Sequence, residues 1–504
     1  MKKILIAASL VFAVFTVNAQ NKNSLLQGDF WKQKPSVDAV KAEIAKGSNP
    51  SESDARHFDP TAMAINSDAP IETIKFLLDQ PGNPVTKATH HSRTYLHWAA
   101  AKGNLELVQE LLKRGSDFEK GDSYGTPVVP YAASAGQANT AVYDAFFKLG
   151  SDPKKKYANG ANLLLMSIAN DKDLKLAEYF VSKGLSFNAV DDEGATAFDY
   201  AAKSGNIDFL KAVLAKGAKP TGLALYYAAQ GGRGSSASLE LYKYLVEDLK
   251  LNPSATNKEG NNVLHSLVRK PNQDEIINYF LAKGVDVNKA NADGTTAFMS
   301  AAGGRNLAVL ELLAPKVKDI NAVNKKGESA LTQAVSTGSP EVVAFLIGKG
   351  ANVKVEDQAG NNLAYYLVQS YRPAGGPAGP GAQTAATPKD EFAEKLALLS
   401  AKGLNVATPQ KDGSTLYHIA IARLDLGLIK KLNDLKVNVN TKNKEGVTVL
   451  HRAALISKDD EILKYLVSIG ADKTIKTDFD ETAYDLAAEN KFLADKKVAV
   501  TFLK

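Results

Sequence analysis

Histidine is the side chain here that could most readily bind a metal or move a proton at neutral pH. The chain has seven histidines and no cysteine, which excludes disulfides, thiolate metal sites and a cysteine nucleophile. The histidines are His57, His90, His91, His97, His265, His418 and His451. His90 and His91 lie in a polar loop and could bind a metal weakly with His57, but adjacent histidines are expected to point apart. The sequence therefore predicts no metal site.

Short catalytic motifs are also missing from the sequence, namely HExxH, GxSxG, a phosphate-binding loop and paired carboxylates. The stretch Gly231-Gly232-Arg233-Gly234 is a poor phosphate loop, because no strand and no Gly-Lys-Ser/Thr accompanies it. An enzyme would need a site between Pro81 and Arg93 or in the glycine-rich insertions, and these segments lack convergent residues. We predict no catalytic residue and no cofactor, and therefore no enzyme.

Glycines recur at a nearly constant interval along the chain. Intervals of 34, 33 and 33 residues separate Gly260, Gly294, Gly327 and Gly360. The interval from Gly413 to Gly446 is again 33. A period near 33 is typical of stacked helical repeats, in which each repeat is one supersecondary unit. The periodicity favours a scaffold with one long surface, and hence a binding function.

One period shows which elements position this surface. Gly294 supplies the permissive backbone that a tight turn needs, and Thr296 can cap the helix that follows. Ala301 and Ala302 are small, so a second helix can approach closely. That second helix carries apolar residues at i, i+3 and i+4, which predicts one buried face. Second helices commonly end in Lys-Gly, as at Lys183-Gly184, where glycine can take the left-handed cap.

Several units share one sequence pattern. Two of the best matches are Thr94-Tyr95-Leu96-His97-Trp98-Ala99-Ala100 and Gly446-Val447-Thr448-Val449-Leu450-His451-Arg452-Ala453-Ala454. This pattern resembles the ankyrin repeat, whose consensus reads roughly D-x-G-x-T-P-L-H-x-A-A-x-x-G. About 12 such units run from near His57 to the C-terminus. The resemblance implies an all-α repeat solenoid, elongated and curved, of ankyrin helix-turn-helix units with short β-hairpin fingers.

The resemblance also implies where a partner would bind. Ankyrin proteins normally use the hairpin tips and the two residues after the Ala-Ala pair of the first helix. Those positions give the predicted partner-binding residues Lys102, Tyr124, Asn159, Lys203, Arg269, Lys270, Lys325, Lys326 and Arg423. The expected partner is another protein of unknown identity, bound along the concave face and the tips. The chain itself is expected to be a monomer.

Two further sets of residues recur in register. The family's histidine in the T-P-L-H position hydrogen-bonds the neighbouring hairpin backbone, so this structural role is expected for His97, His265, His418 and His451. The residue before the Ala-Ala pair is large in five successive units: Trp98, Tyr131, Met166, Tyr200 and Tyr227. Stacked repeats would bring these residues into a column. Packing between helices is the favoured role, and an exposed aromatic binding edge is the alternative.

The chain is expected to divide into five segments. Residues 1–19 read as a signal peptide, 20–56 as an atypical capping repeat, and 57–370 as the repeat array. Residues 371–389 form a Pro/Gly/Ala-rich insertion between two helices of one repeat, whose composition predicts flexibility. Residues 390–504 hold the C-terminal repeats and cap.

The N-terminus predicts export. Lys2 and Lys3 precede an apolar run of about 14 residues that ends in a small-residue site at Ala19, which is typical of a secretory signal. Cleavage would leave 59 basic and 55 acidic residues, a mild excess that gives no reason to expect nucleic acid. We expect a periplasmic or otherwise exported protein of a Gram-negative bacterium, with no membrane insertion after cleavage. A salt-sensitive binder of anionic envelope polymers through Lys154–Lys156 is the alternative.

Overall fold

A computed structural model describes residues 23–231, 237–372 and 390–504 of the chain. The chain divides into two compact units, Met1–Ala237 and Ser238–Lys504. The predicted signal peptide (1–19) lies outside the described residues, as do 232–236 and the part of the predicted insertion from 373 to 389. Those expectations therefore stay predictions.

The first unit is built from pairs of antiparallel helices. The first helices of the pairs are Gly28–Lys32, Pro60–Asn66, Tyr95–Lys102, Val128–Ser134, Leu163–Ser167, Ala197–Ala201 and Leu223–Gln230. The second helices are Val37–Ala45, Ile71–Leu78, Leu105–Lys113, Thr140–Lys148, Lys175–Ser182 and Ile207–Ala215. Short 3₁₀ turns are Ser24–Leu26, His90–Ser92, Ala158–Gly160, Ile168–Asn170 and Ala202–Ser204. The predicted capping segment, 20–56, thus contains a helix pair of its own.

The second unit repeats the same pairing. Its first helices are Val263–Leu267, Ala297–Ala302, Ala330–Thr337, Leu363–Ser370, Leu416–Ile421, Val449–Ile456 and Ala483–Glu489. Its second helices are Leu239–Lys243, Asp274–Ala282, Leu307–Leu313, Pro340–Gly348, Glu391–Ser400, Leu426–Asn433, Glu461–Ser468 and Lys491–Asp495. A π-helical turn, Tyr244–Asp248, and the 3₁₀ turns Ala314–Lys316 and Thr501–Leu503 complete the described elements.

Local capping chemistry sets where these helices begin and end. The Thr296 hydroxyl accepts from the backbone N–H of Met299 at 3.2 Å, and the Asn104 side chain accepts from that of Leu107 at 3.0 Å, so each supplies an N-cap. Gly184 follows its helix with a φ of 91°, as the Lys-Gly endings predict. The caps predicted at Thr296 and Gly184 are confirmed.

The core lies between the helix pairs. Leu107, Val108 and Leu111 of one second helix are fully buried, because they occupy one helical face. Ala99 and Ala100 of the preceding first helix are buried as well. First helices of neighbouring repeats also pack against one another. The all-α repeat fold expected from the periodicity is confirmed.

The loop between repeats forms a tight turn, which we call the tip. In one tip, the Asn324 side chain accepts from the backbone N–H groups of Lys326 (2.9 Å) and Glu328 (3.0 Å). Gly327 follows with a φ of 81°. The expected β-hairpin fingers are realised as these turns, since the described residues contain isolated antiparallel bridges, such as Val323 to Ser329, and no strand.

Backbone hydrogen bonds join several neighbouring tips. The N–H of Lys325 donates to the carbonyl of Asp293 at 2.8 Å, and the N–H of Gln358 donates to that of Lys326 at 2.8 Å. The series continues past the long insertion, where the N–H of Lys411 donates to the carbonyl of Gly360 at 3.1 Å. These tips are therefore positioned by their neighbours.

Candidate functional site

The histidines of the repeated pattern are structural. The backbone N–H of Thr94 donates to Nδ1 of His97 at 3.2 Å, and the carbonyl of Thr126 lies 3.2 Å from Nε2. Nδ1 is therefore the acceptor, and Nε2 carries the proton and donates to the next tip. His265, His418 and His451 reach the following loop in the same way, through the carbonyls of Thr295, Val447 and Ile475. The predicted hydrogen bonds to the neighbouring hairpin are confirmed.

The large residue before the Ala-Ala pair anchors its own tip. Trp98 Nε1 donates to the Thr89 hydroxyl at 2.8 Å. The Tyr200 hydroxyl donates to the Asp191 carboxylate at 2.9 Å. Both bonds join residues nine apart, which shows a shared geometry. Trp98 and Tyr227 are buried, whereas Tyr131, Met166 and Tyr200 are half-buried. Packing is therefore the main role of the column, with part of three side chains left accessible.

A groove of about 610 Å³ opens beside the first tips of the first unit. We call it the N-terminal groove. Its lining is Leu26, Gly28, Arg56, Phe58, Met63, Asn66, Ser67, His90, His91, Arg93, Trp98, Tyr124 and Tyr131. Its volume lies within the range of about 300–1,000 Å³ that is usual for ligand sites. None of its lining residues is a carboxylate.

Aromatic rings form one continuous wall of this groove. Tyr124 lies 5.2 Å from the ring of His91, His91 lies 4.0 Å from His90, and His90 stacks on Phe58 at 4.5 Å. Phe58 contacts Trp98 at 5.6 Å. Tyr124 is 68% exposed, so its ring face is available to a partner. An expectation is corrected here: the two adjacent histidines do not point apart, because His91 has a φ of 56°.

Two arginines line the groove, and each pairs with a carboxylate that lies outside the lining. Arg93 pairs with the buried Asp122 carboxylate at 3.0 Å, and its guanidinium lies 4.4 Å from the Tyr131 ring centre. Arg56 is exposed, pairs with Asp54 at 3.3 Å and lies over the Phe58 ring at 5.4 Å. Arg93 is thus fixed in the wall, whereas Arg56 faces solvent.

The histidines of the wall differ in their hydrogen bonding. His90 Nδ1 lies 2.7 Å from the carbonyl of Arg56, so this nitrogen must donate and Nε2 remains for a ligand. Desolvation, followed by the nearby charges of His90 and Arg93, lowers the pKa of His91. Throughout residues 23–231, 237–372 and 390–504, no group of three or more His, Asp or Glu could hold a metal ion.

Three of the predicted partner-binding residues meet in the second unit. Arg269, Lys325 and Lys326 line a groove of about 220 Å³, which we call the lysine groove. All three side chains are exposed. Its other lining residues are Asp293, Thr295, Met299, Ser300, Asn324, Glu328 and Gln333. The groove therefore carries charges of both signs.

Three other predicted residues are engaged within the chain. Lys102 pairs with Asp68 at 2.7 Å. Lys203 lies over the rings of Tyr200 and Tyr227, and burial lowers its pKa. The Arg423 guanidinium donates to the carbonyls of Val368, Gln369 and Tyr371 at the end of one first helix. These contacts give the three cations structural roles.

The last two predicted residues lie apart from either groove. Asn159 is exposed at its tip, and its carbonyl accepts from the backbone N–H of Asp192 at 2.9 Å. Lys270 is half-buried, and desolvation lowers its pKa. In the basic run Lys154–Lys156, the central Lys155 pairs with Glu119 at 2.6 Å, which reduces the charge available to an anion.

Arg56 and His91 line the groove together with Tyr124, but the sequence pattern did not identify them as tip residues. Both precede a residue with positive φ, as Tyr124 precedes Gly125, but these residues are His57 (63°) and Ser92 (58°) rather than glycine. The missing glycines concealed the first two tips. The signal that could have identified them is their position in the tip, which Arg56, His91 and Tyr124 occupy in three successive repeats.

The side chains of both grooves can bind a partner by non-covalent contacts. The N-terminal groove presents ring faces and cations, and the lysine groove presents ammonium, amide and hydroxyl groups. A tandem array of helix pairs with such grooves defines a repeat protein of the binding class. Models of ankyrin repeats match residues 32–122, 129–223 and 271–357, and a second such model matches 432–487, together more than half of the chain. The chain belongs to the ankyrin-repeat family, whose repeats are generally protein–protein interaction modules and typically non-enzymatic scaffolds.

Two similar full-length proteins are much longer than this chain, which covers 35% and 22% of their lengths. The human transient receptor potential cation channel subfamily A member 1 is 22% identical over 409 residues, which is 71% of this chain and 35% of the channel. Alpha-latroinsectotoxin-Lt1a of Latrodectus tredecimguttatus is 25% identical over 370 residues, 69% of this chain and 22% of the toxin. The solved ankyrin-repeat domain of human ASB11 is 20% identical, with a TM-score of 0.37, and the match covers 46% of this chain and 95% of that domain.

Within the described ranges, no helix combines the length and apolar character needed to cross a membrane.

Proposed function

We propose that this chain is an exported, non-enzymatic ankyrin-repeat scaffold that binds another protein through its tips and first helices. The observation that carries the proposal is the position of the tip residues. Tyr124 lines the N-terminal groove, and Lys325 and Lys326 line the lysine groove. Exposed tip side chains can contact a partner without disturbing the helix pairs that support them.

The test is an affinity pull-down from the periplasmic fraction of the native organism, washed first at low and then at high salt. A protein retained at stoichiometric yield through the high-salt wash supports a specific client. Surface charge contacts alone would be screened by the salt. Recovery of polyanionic envelope material alone, released by salt, would replace this proposal with the polymer-binding alternative.

Charge reversal at the lysine groove tests the surface. The double variant Lys325→Glu/Lys326→Glu should recover less of the client than the unaltered protein. Lys496→Glu/Lys497→Glu is the matched control, because it reverses two adjacent exposed lysines of the same unit outside this groove. Equal client recovery with both double variants would show that the client does not use the lysine groove.

Export is part of the proposal and has its own test. Cleavage after Ala19 would give a mature chain that begins at Gln20. N-terminal sequencing of the protein from fractionated cells should read Gln20-Asn21-Lys22. An intact Met1 in the cytoplasmic fraction would contradict export.

A further inference from the structure

The N-terminal groove combines two properties that suit it to recognition, an aromatic wall and a lining that contains arginine but no carboxylate. Its wall is a run of aromatic rings from Tyr124 through His91 and His90 to Phe58. Its lining includes two arginines and no carboxylate. The buried Asp122, which lies behind the wall, is compensated by Arg93 and by the backbone N–H groups of Tyr124 and Thr126.

We propose that the N-terminal groove binds a peptide segment of the partner in which an aromatic side chain lies next to a carboxylate. This inference rests on the proposed function and names the chemistry of the segment that the groove would take. The aromatic side chain would stack against the exposed Tyr124 ring and its neighbours. The carboxylate would be placed toward Arg56.

The aromatic part follows from the geometry of the wall. Consecutive ring centres are 4.0 to 5.2 Å apart from Tyr124 to Phe58, so a further ring can continue the series. Aromatic pairs at such distances stabilise a contact beyond the effect of the area that they bury. Since Tyr124 is exposed while Trp98 is buried, the free end of the series lies at the tip.

The acidic part follows from charge complementarity. Arg56 is exposed and lies over Phe58 at 5.4 Å. Its Nε and Nη2 are bonded to Asp54, so a carboxylate beside the ring wall would bind at Nη1. Because Nδ1 of His90 donates to the Arg56 carbonyl, Nε2 of the neutral ring is an acceptor, and the carboxylate contact therefore falls to Arg56 rather than to His90. A basic segment would instead meet Arg56 and Arg93, whose carboxylate partners Asp54 and Asp122 lie outside the lining and are already paired, so its desolvated charge would be uncompensated.

A displayed library of random peptides, selected on the immobilised full chain, tests the inference without assuming a sequence. The enriched peptides should share Trp, Tyr or Phe next to Asp or Glu. Enrichment of basic peptides, of aliphatic peptides without an aromatic residue, or of nothing beyond the bare support would overturn the proposal.

Single substitutions test whether the selected peptide binds in the N-terminal groove. Its dissociation constant, measured by fluorescence anisotropy, should rise at least about fivefold with Tyr124→Ala and with Arg56→Glu, in keeping with the loss of one stacking or charge contact. Phe479→Ala is the matched control, because Phe479 is an aromatic residue at another tip, 84% exposed and outside the groove. Unchanged affinity with Tyr124→Ala, or equal losses with Phe479→Ala, would refute the site.

The pull-down separates this inference from the broader function. A client that stays bound through high salt and is recovered equally by Tyr124→Ala would refute the groove while leaving the scaffold function intact. Binding of a sulfated oligosaccharide to the groove, with no enriched peptide, would assign the groove to a glycan and overturn the peptide proposal.

Discussion

Four buried imidazoles carry one hydrogen-bonding arrangement along the chain. Desolvation is the main cause that lowers the pKa of His97, His265, His418 and His451 from the ordinary value of 6.5. In His97, Nδ1 already accepts a backbone N–H, so a proton there would face a donor. These histidines are fitted to the neutral form.

Acidification should therefore destabilise the fold. A histidine with a lowered folded pKa binds protons more readily in the unfolded chain, so its stabilisation is complete above about pH 7 and decreases as the pH falls below about 6.5. Imidazole NMR titrations should give pKa values below 6.5 for the four residues. His418→Asn should reduce the pH slope of thermal unfolding. A titration of His418 at or above the ordinary value would contradict this.

A buried lysine affects stability in the alkaline range instead. Lys395 is 2% exposed, its Nζ donates to the Val335 carbonyl at 3.0 Å, and desolvation lowers its pKa to about 8. The unfolded lysine retains its proton up to about pH 10.4, so folding stability should rise as the pH increases from about 8 toward 10.

The variant Lys395→Met should lack this rise. Its melting temperature should decrease relative to that of the unaltered protein as the pH increases from about 7 to about 9.5. Lys402→Met, at an exposed position just after the same helix, serves as the control and should show a constant difference. A constant difference for Lys395→Met as well would show that the amine keeps its ordinary pKa.

At the scale of the element, the tip depends on its left-handed glycine. A Cβ on Gly327 would lie 2.8 Å from the backbone nitrogen of Gln358 in the next tip, and its φ is 81°. Gly327→Ala should therefore destabilise the second unit by about 1–3 kcal/mol. Urea unfolding measures the change, and hydrogen exchange should show a less protected Gln358 amide.

A second glycine of the same repeat provides the control. Gly348 ends the helix Pro340–Gly348, and a Cβ there meets nothing within 4 Å. Gly348→Ala should be neutral or stabilising by up to about 1 kcal/mol, because alanine is the better helix former. Equal effects of the two substitutions would contradict the account of the tip.

The helix pairs, their caps and their buried faces could be predicted from sequence because each depends on residues close together in the chain. Asp199 shows where this stops. It occupies the position that His97 holds in its own repeat, and as an acceptor it takes the N–H and the hydroxyl of Thr221 at 2.9 and 2.7 Å. The role of Thr221 could not be predicted from its neighbours in sequence, because its hydrogen-bond donors are used by Asp199 of the preceding repeat.

The N-terminal groove was missed for the same physical reason. Arg56, His91 and Tyr124 come from three successive tips, and two of these tips lack the glycine that marks the others. Non-glycine residues with positive φ are uncommon, so the sequence pattern gave no cause to place tips there. The ring contacts depend on those backbone conformations.

At the scale of the whole molecule, the charge balance limits what the surface can attract. The formal net charge is +6 for 504 residues, which is a weak field for a chain of this length. We expect the protein to elute from a heparin column at low salt. Retention to high salt that is lost with Lys154→Glu/Lys156→Glu would instead support the polymer-binding alternative, with Lys175→Glu, an exposed lysine of the same unit, as the control.

The hydrogen bond from Lys411 to Gly360 has a practical consequence for protein engineering. The two tips stay joined although the chain between them contains residues 373–389. Their register is fixed by this bond and by the Gln410 side chain, which accepts from the backbone N–H of Asn362 at 2.8 Å. The number of residues between 373 and 389 can therefore be changed without altering that register. This makes the segment the place to graft a fluorescent reporter or an affinity tag.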